Sequence, residues 1–276
     1  MMPDPAPEPA AASGTGAAPV STPGTAPVTA CVLIIGNEIL SGRTQDVNLA
    51  YLAKALNEVG VRVTEARVIR DEEAAIVDAV NACRAAYDYV FTTGGIGPTH
   101  DDITSACIAR AFGVPVVRDP AAEAVMRRHY GEAGINEARL KMADVPEGAV
   151  LIENPVSSAP GFQIGNVIVL PGVPRILQAM VDGLKGRLRG GAPVLSRTVS
   201  AFTTESSIAA GLSAVQDRHG AVEIGSYPFV RSGRFGTSLV SRCPDRAALE
   251  AAVADIIALL QAMNVEPIRD DEPSAA

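Results

Sequence analysis

The sequence predicts an α/β fold: a three-layer, mostly parallel sheet with helices on both faces, followed by a small C-terminal α+β domain. Three observations carry this. Strand-like and helix-like segments alternate from Val28 onward, the order that builds β-α-β units with right-handed crossovers. The first segment, Val28–Ile35, is apolar almost throughout, as a strand covered on both faces must be. Past Gly190-Gly191-Ala192-Pro193 the alternation gives way to a different order of strands and helices.

Each element has a local reason. Leu49, Leu52, Leu56 and Val59 fall on one helical face, and Gly60 ends that helix. Val61–Ile69 reads as the second strand. Asp71 is the expected cap of a helix with Ile76, Val80 and Cys83 inward. Asp88–Thr92 reads as a short strand, and a helix is expected from Asp101 with Ile103, Cys107 and Ala111 inward. Asp119-Pro120 starts a further helix, with Pro at its first position. Ala149–Ile152, Phe162–Ile164 and Val167–Leu170 read as strands, and Pro174 opens a helix that aligns Leu177, Val181, Leu184 and Leu188. In the second domain the expected order is strand Arg197–Phe202, helix Glu205–Arg218, strands Ala221–Gly225 and Thr237–Arg242, and helix Arg246–Met263.

The expected domains are thus 28–190 and 191–268, between an Ala/Pro-rich tail at 1–27 and a loose end at 269–276. Both tails are expected to be disordered, because such compositions bury too little apolar surface to offset the entropy of ordering them. With 276 residues and 47% hydrophobic side chains, the chain can build a proper core. Its formal charge of −8 argues against non-specific nucleic-acid binding, which needs a dense Lys/Arg surface, but leaves room for a small anionic ligand. Cys31, Cys83, Cys107 and Cys243 lie far apart and fall mostly in apolar runs, so buried free thiols are expected. Without an 18-residue apolar stretch or a basic start to the first 30 residues, neither a membrane helix nor a secretory signal is expected. A soluble, cytoplasmic protein is the resulting expectation.

Ligands of an open α/β sheet bind beyond the carboxyl ends of its strands. The segments that follow the strands are therefore the informative ones. They are Gly36-Asn37-Glu38 with Ser41-Gly42, then Thr93-Gly94-Gly95-Ile96-Gly97-Pro98-Thr99-His100-Asp101-Asp102, then Pro171-Gly172-Val173-Pro174. The middle loop suits an anion: Gly94, Gly95 and Gly97 let the backbone come close, and Thr99 and a helix start follow. It is neither a Walker A loop nor the dinucleotide fingerprint. Asp101 and Asp102 would repel a bare phosphate, so a divalent cation such as Mg²⁺ is the expected intermediary, with Glu38 supplying a further oxygen. The competing reading makes Asp101 a helix cap and Asp102 a first-turn acid. Ser158, in Ser157-Ser158-Ala159-Pro160-Gly161, either lines a ligand or serves the turn. Lys141, near Arg139, either meets a phosphate or belongs to a solvated face. Gly172 either faces a ligand or turns the chain into the next helix. His100 stands in the loop as a donor or a solvated side chain, whereas His129 and His219 suit helix ends.

The run TGGIGPTHDDIT at 93–104 resembles the molybdopterin-binding (MoaB/Mog-type) domain family, and within it the amino-terminal domain of competence/damage-inducible protein A. GNEILSG at 36–42, Asn48 with its Leu-rich helix, VPEGA at 145–149, NPVSSAPGF at 154–162 and LPGVP at 170–174 agree in order. TTESSI at 203–208 and GSYP at 225–228 are similar to the molybdopterin-binding-like region of FAD synthases. The resemblance implies a domain that binds a pterin, molybdopterin among them, or a dinucleotide pyrophosphate, usually in a homo-oligomer. It implies that the Asp at the Asp102 position acts with Mg²⁺, and that the branch nearest this chain has metal-dependent pyrophosphatase activity on ADP-ribose or FAD. Asn37 stands where many relatives have Asp or Thr, which implies weaker metal binding. Asp101 stands where the cofactor-assembly enzymes carry a basic residue, which favours the hydrolase-like branch. A pterin- or nucleotide-binding protein without catalysis is the alternative.

Overall fold

The computed structural model describes residues 27–269 and 274–275. All but Pro27 of the expected N-terminal tail, and residues 270–273 and 276 of the C-terminal one, lie outside them. In chain order the elements of the first domain are β1 (Val28–Ile35), α1 (Asn37–Leu40), α2 (Asn48–Glu58), β2 (Val61–Ile69), α3 (Glu73–Ala86), β3 (Tyr89–Thr93), α4 (Thr104–Phe112), β4 (Val116–Arg118), α5 (Pro120–Gly134), α6 (Glu137–Leu140), β5 (Asp144–Pro146), β6 (Val150–Ile152), β7 (Gly161–Ile164), β8 (Val167–Leu170) and α7 (Pro174–Leu184). Six strands form one sheet in the order β2-β1-β3-β8-β7-β6. The first four run parallel, while β7 and β6 add an antiparallel edge.

The alternation of side chains along β1 explains the three layers. Ala30, Val32 and Ile34 point into one core with Leu52 and Leu56 of α2 and Leu177 and Val181 of α7. Cys31, Leu33 and Ile35 point into the other, against Ile76 and Val80 of α3 and Cys107 and Ile108 of α4. All four cysteines are buried and free, as expected. The Cys31 and Cys83 sulfurs lie 3.3 Å apart in the second core, and burial pushes the Cys31 thiol well above its ordinary range.

Four local expectations are corrected. The helix expected from Asp101 begins at Thr104, with Ile103 at its N-cap and no side-chain cap. Asp71 does not cap α3; its carboxylate accepts the Asn37 N–H at 2.8 Å, and Glu72 holds the cap position without a side-chain bond. The antiparallel pair β4–β5 was not anticipated, because three-residue strands carry too little periodicity to be read. Both strands of the later hairpin, described next, are longer than expected.

The second domain comprises β9 (Leu195–Ala201), α8 (Glu205–Arg218), β10 (Glu223–Arg231), β11 (Arg234–Cys243) and α9 (Arg246–Ala262). Val199, Leu239, Ile208, Leu249 and Ile256 make its own core. Ser232 (φ 52°) and Gly233 (φ 74°) close a two-residue turn between β10 and β11, the left-handed pair that matches strand twist. The chain then adds β12 (Ile268–Arg269) and β13 (Ser274–Ala275), both antiparallel to β9. Between the domains, Asn57 donates to the Val194 carbonyl at 2.9 Å and accepts the Val194 N–H at 3.2 Å. Among the described residues no helix is long and apolar enough to cross a membrane.

Candidate functional site

Strand order places the site. The chain runs from β1 outward to β2 and then returns to the far side of β1 as β3, so the β1/β3 boundary is where the order reverses. Loops leaving such neighbours diverge and open a crevice. Here the segments after β1, β3 and β8 enclose a cleft of about 500 Å³. Its floor is Ile34, Ile35 and Thr93; its walls include Glu38, Asp46, Asn48, Gly94–Gly97, Asp102, Asn154, Ser157 and Gly172.

The glycine loop is held by its own chain. Gly94 has φ 99°, and a Cβ there would lie 2.3 Å from the Ile35 carbonyl oxygen. Gly95 has φ 69°, and its Cβ would lie 2.1 Å from Thr104 Oγ1. That buried hydroxyl donates to the Gly94 carbonyl at 3.1 Å, while the Thr104 N–H donates to the Gly95 carbonyl at 3.0 Å. Gly94 spends its N–H on Leu170 at 3.1 Å. The N–H groups of Gly95, Ile96 and Gly97, residues that line the cleft, have no acceptor among the described residues.

Of the two aspartates, only Asp102 lines the cleft. Its Oδ2 accepts the Thr99 N–H at 2.8 Å and the Thr99 hydroxyl at 2.6 Å, which ties the loop rather than capping α4. Its Oδ1 has no hydrogen-bond partner among the described residues. Asp101 points outward, its side chain 70% exposed beside the solvated His100. Thr99 therefore acts through Asp102 and stands off the cleft lining. Lys141 also stands off it, its ammonium donating to the Thr99 carbonyl.

The other walls are equally defined. Glu38 reaches the cleft from α1, whereas Asn37 does not line it and offers only the backbone N–H held by Asp71. Asp46 Oδ1 accepts the Leu49 N–H at 2.9 Å, closing the first turn of α2. Asn154, buried, receives the N–H groups of Val156 and Ser157 and donates to Ser157 Oγ and the Ala159 carbonyl, at 2.7–3.1 Å. It shapes the segment that brings Ser157 and Ala159 to the cleft. Ser158 itself, with φ 61°, lies outside the lining and serves the turn. Gly172 lines the cleft and passes 3.4 Å from Gly94 Cα at the position of its missing Cβ.

The lining carries three carboxylates, Glu38, Asp46 and Asp102, and no Lys, Arg or His side chain. An anion there would meet backbone N–H groups on one wall and repulsion from the others, which a divalent cation relieves. Among the described residues no three His, Cys, Asp or Glu side chains group closely enough to hold an ion alone. The set fits an ion of the Mg²⁺ kind, which takes one or two carboxylates and completes its shell with water and ligand phosphates. Ile39, Val47, Ile96, Met142, Val173 and Ile176 supply an apolar surface for the uncharged part of a ligand.

The model of the family described as "Probable molybdopterin binding domain" matches residues 31–190. This chain belongs to that family. A second model, "FAD synthase, middle domain", matches residues 193–268. A CinA-like protein of Syntrophus aciditrophicus is 45% identical over 159 residues, 54% of this chain and 37% of that protein. A "Probable FAD synthase" of Caenorhabditis elegans is 33% identical over 261 residues, 84% of this chain and 50% of that protein. The chain thus spans about half the length of such curated relatives. In structure, the CinA protein of Thermoplasma acidophilum, itself of unknown function, matches 58% of this chain and 96% of its own at 37% identity and a TM-score of 0.55. In this domain Gly94, Gly95, Gly97, Asp102, Glu38 and Gly172 line one cleft. Asp46 was missed, although Asp-x-x-Leu before a helix signals it; Asn154 was visible only as the first residue of NPVSSAPGF, where Asn-Pro marks a turn.

Proposed function

We propose that the molybdopterin-binding domain holds a small anionic ligand through its pyrophosphate and hydrolyses it with a divalent metal, as a pyrophosphatase of the FAD or ADP-ribose type. The observation that carries this reading is the composition of the cleft: Gly95, Ile96 and Gly97, whose N–H groups have no acceptor among the described residues, line it together with the carboxylates of Glu38 and Asp102 and without any basic side chain. Backbone donors hold the phosphate oxygens, as at other glycine loops. Asp102 and Glu38 are the residues that would hold the metal, which when bound supplies Lewis-acid stabilisation of the charge on the pyrophosphate. With Oδ2 held by Thr99, Oδ1 is the Asp102 oxygen left to hold the metal or, instead, to orient the attacking water. That water's oxygen bonds to phosphorus as the P–O–P bond breaks, AMP leaves together with FMN from FAD or ribose 5-phosphate from ADP-ribose, and the water's protons pass to the product phosphates and solvent. The relation to proteins named FAD synthases supports a flavin or nucleotide ligand.

The test is metal-dependent release of AMP from FAD or ADP-ribose, followed by chromatography. Asp102→Ala is expected to abolish it while the circular dichroism of the fold is retained. Wild-type turnover in that variant would sink the assignment. The second reading, a pterin- or nucleotide-binding protein without hydrolysis, draws on the spacing of the carboxylates, which form no ready-made ion nest among the described residues. Retention of ligand with no product would favour it.

A further inference from the structure

The carboxamide of Asn48 is 4% exposed and lines the cleft from the start of α2. Its Nδ2 donates to the Gly172 carbonyl at 2.8 Å, a bond that spans two of the three loops. Since a carbonyl only accepts, this bond fixes which end of the amide is which: the nitrogen must face Gly172, and the oxygen faces the other way. That oxygen, Oδ1, is buried and has no partner among the described residues. A buried acceptor without a donor is costly, and such groups in native folds usually mark the place of something absent from the protein chain.

We infer that Asn48 is a specificity-determining residue of the cleft, whose Oδ1 accepts a hydrogen bond from an O–H or N–H on the non-phosphate part of the ligand. This rests on the pyrophosphate-binding reading above and adds the ligand's orientation. An ionised pyrophosphate offers only acceptors, so it has nothing to give Oδ1 and belongs with the unused N–H groups of Gly95–Gly97. The part that reaches Asn48 must therefore bear a donor: a sugar or ribityl hydroxyl, or a ring N–H. Asp46, which also lines the cleft, adds a second acceptor. The cleft thus offers backbone donors for the anion and side-chain acceptors for the rest. The discrimination such a site gives against ligands lacking the donor is large because rejection leaves a buried group unpaired.

The experiment compares wild type with Asn48→Leu, a near-isosteric change, for binding of ADP-ribose, FAD and inorganic pyrophosphate, each with Mg²⁺, by calorimetry. Affinity for ADP-ribose or FAD is expected to fall about tenfold or more, with pyrophosphate affinity unchanged. Equal affinity of both proteins for the nucleotides overturns the inference. So does a parallel loss for pyrophosphate, which would place Oδ1 on the metal or the phosphate. Because Asn48→Leu also leaves the Gly172 carbonyl without its donor, the second measurement uses wild type alone. The ¹³C resonance of the Asn48 carboxamide carbon is expected to move downfield on addition of ADP-ribose or FAD and to stay in place with pyrophosphate; no movement with either nucleotide overturns the inference. Wild type that binds none of the three probes removes the proposed function itself, whereas nucleotide binding indifferent to Asn48 removes only this inference.

Discussion

Replacing Gly95 and Gly113 by alanine, one at a time, separates backbone conformation from packing at the site. Both glycines have φ 69°. A Cβ at Gly113, the C-cap of α4, meets nothing within 4 Å, whereas at Gly95 it meets Thr104 Oγ1 at 2.1 Å. An L-residue in the left-handed region costs about 1–2 kcal/mol, which is the whole expected effect of Gly113→Ala. Gly95→Ala carries the same cost and also expels the Thr104 hydroxyl from the Gly94 carbonyl. Leaving a buried group unpaired adds about 1–3 kcal/mol, for a total of about 2–5 kcal/mol. Urea denaturation followed by circular dichroism measures both variants, with the midpoint read at unchanged slope. Equal losses in the two variants would refute the argument that Thr104 is what demands glycine at 95.

Other perturbations follow from the same geometry. Asn154→Leu removes four hydrogen bonds from one buried side chain and is expected to cost about 2–4 kcal/mol in the same assay, with the 155–159 segment becoming protease-sensitive. A change in urea midpoint near zero would show that segment to be held otherwise. The Thr29 N–H and hydroxyl, at 2.8 and 3.0 Å, hold the Asp88 carboxyl below its ordinary pKa. A depressed carboxylate stabilises the fold above its unfolded pKa and loses that contribution as pH falls through the folded one, so the effect fades below about pH 4. Asp88→Asn is expected to flatten the stability profile in that window; an unchanged profile would exclude this pair as its source. Asp101→Asn, outside the cleft lining, is expected to leave metal-dependent turnover within about threefold of wild type while Asp102→Asn abolishes it.

What the sequence made legible was whatever long-period patterning and strand-end logic control. The apolar run of β1 and the helix faces of α2 and α7 led to three layers, and the segments after β1, β3 and β8 do meet, because β1, β3 and β8 are adjacent in the sheet. Where side chains compete for one backbone N–H, local rules failed. Asp71 suits a cap by its position, yet the chain brings the Asn37 N–H to it across the sheet. Asp101 and Asp102 read alike as helix-start acids, but the fold turns one onto Thr99 and the cleft and leaves the other in solvent. Asn48 was visible only as part of a matching segment; its unpaired oxygen depends on Gly172, 124 residues away.

The measurement that bears most directly on the central claim is product analysis. Purified protein is mixed with FAD, ADP-ribose and molybdopterin separately, each with and without Mg²⁺ or Co²⁺, and AMP and phosphate-ester products are separated by chromatography. AMP is expected from FAD or ADP-ribose only when metal is present, and none from Asp102→Ala. Tight retention of molybdopterin with no product from any ligand, with or without metal, would contradict hydrolysis and make the cleft a carrier site.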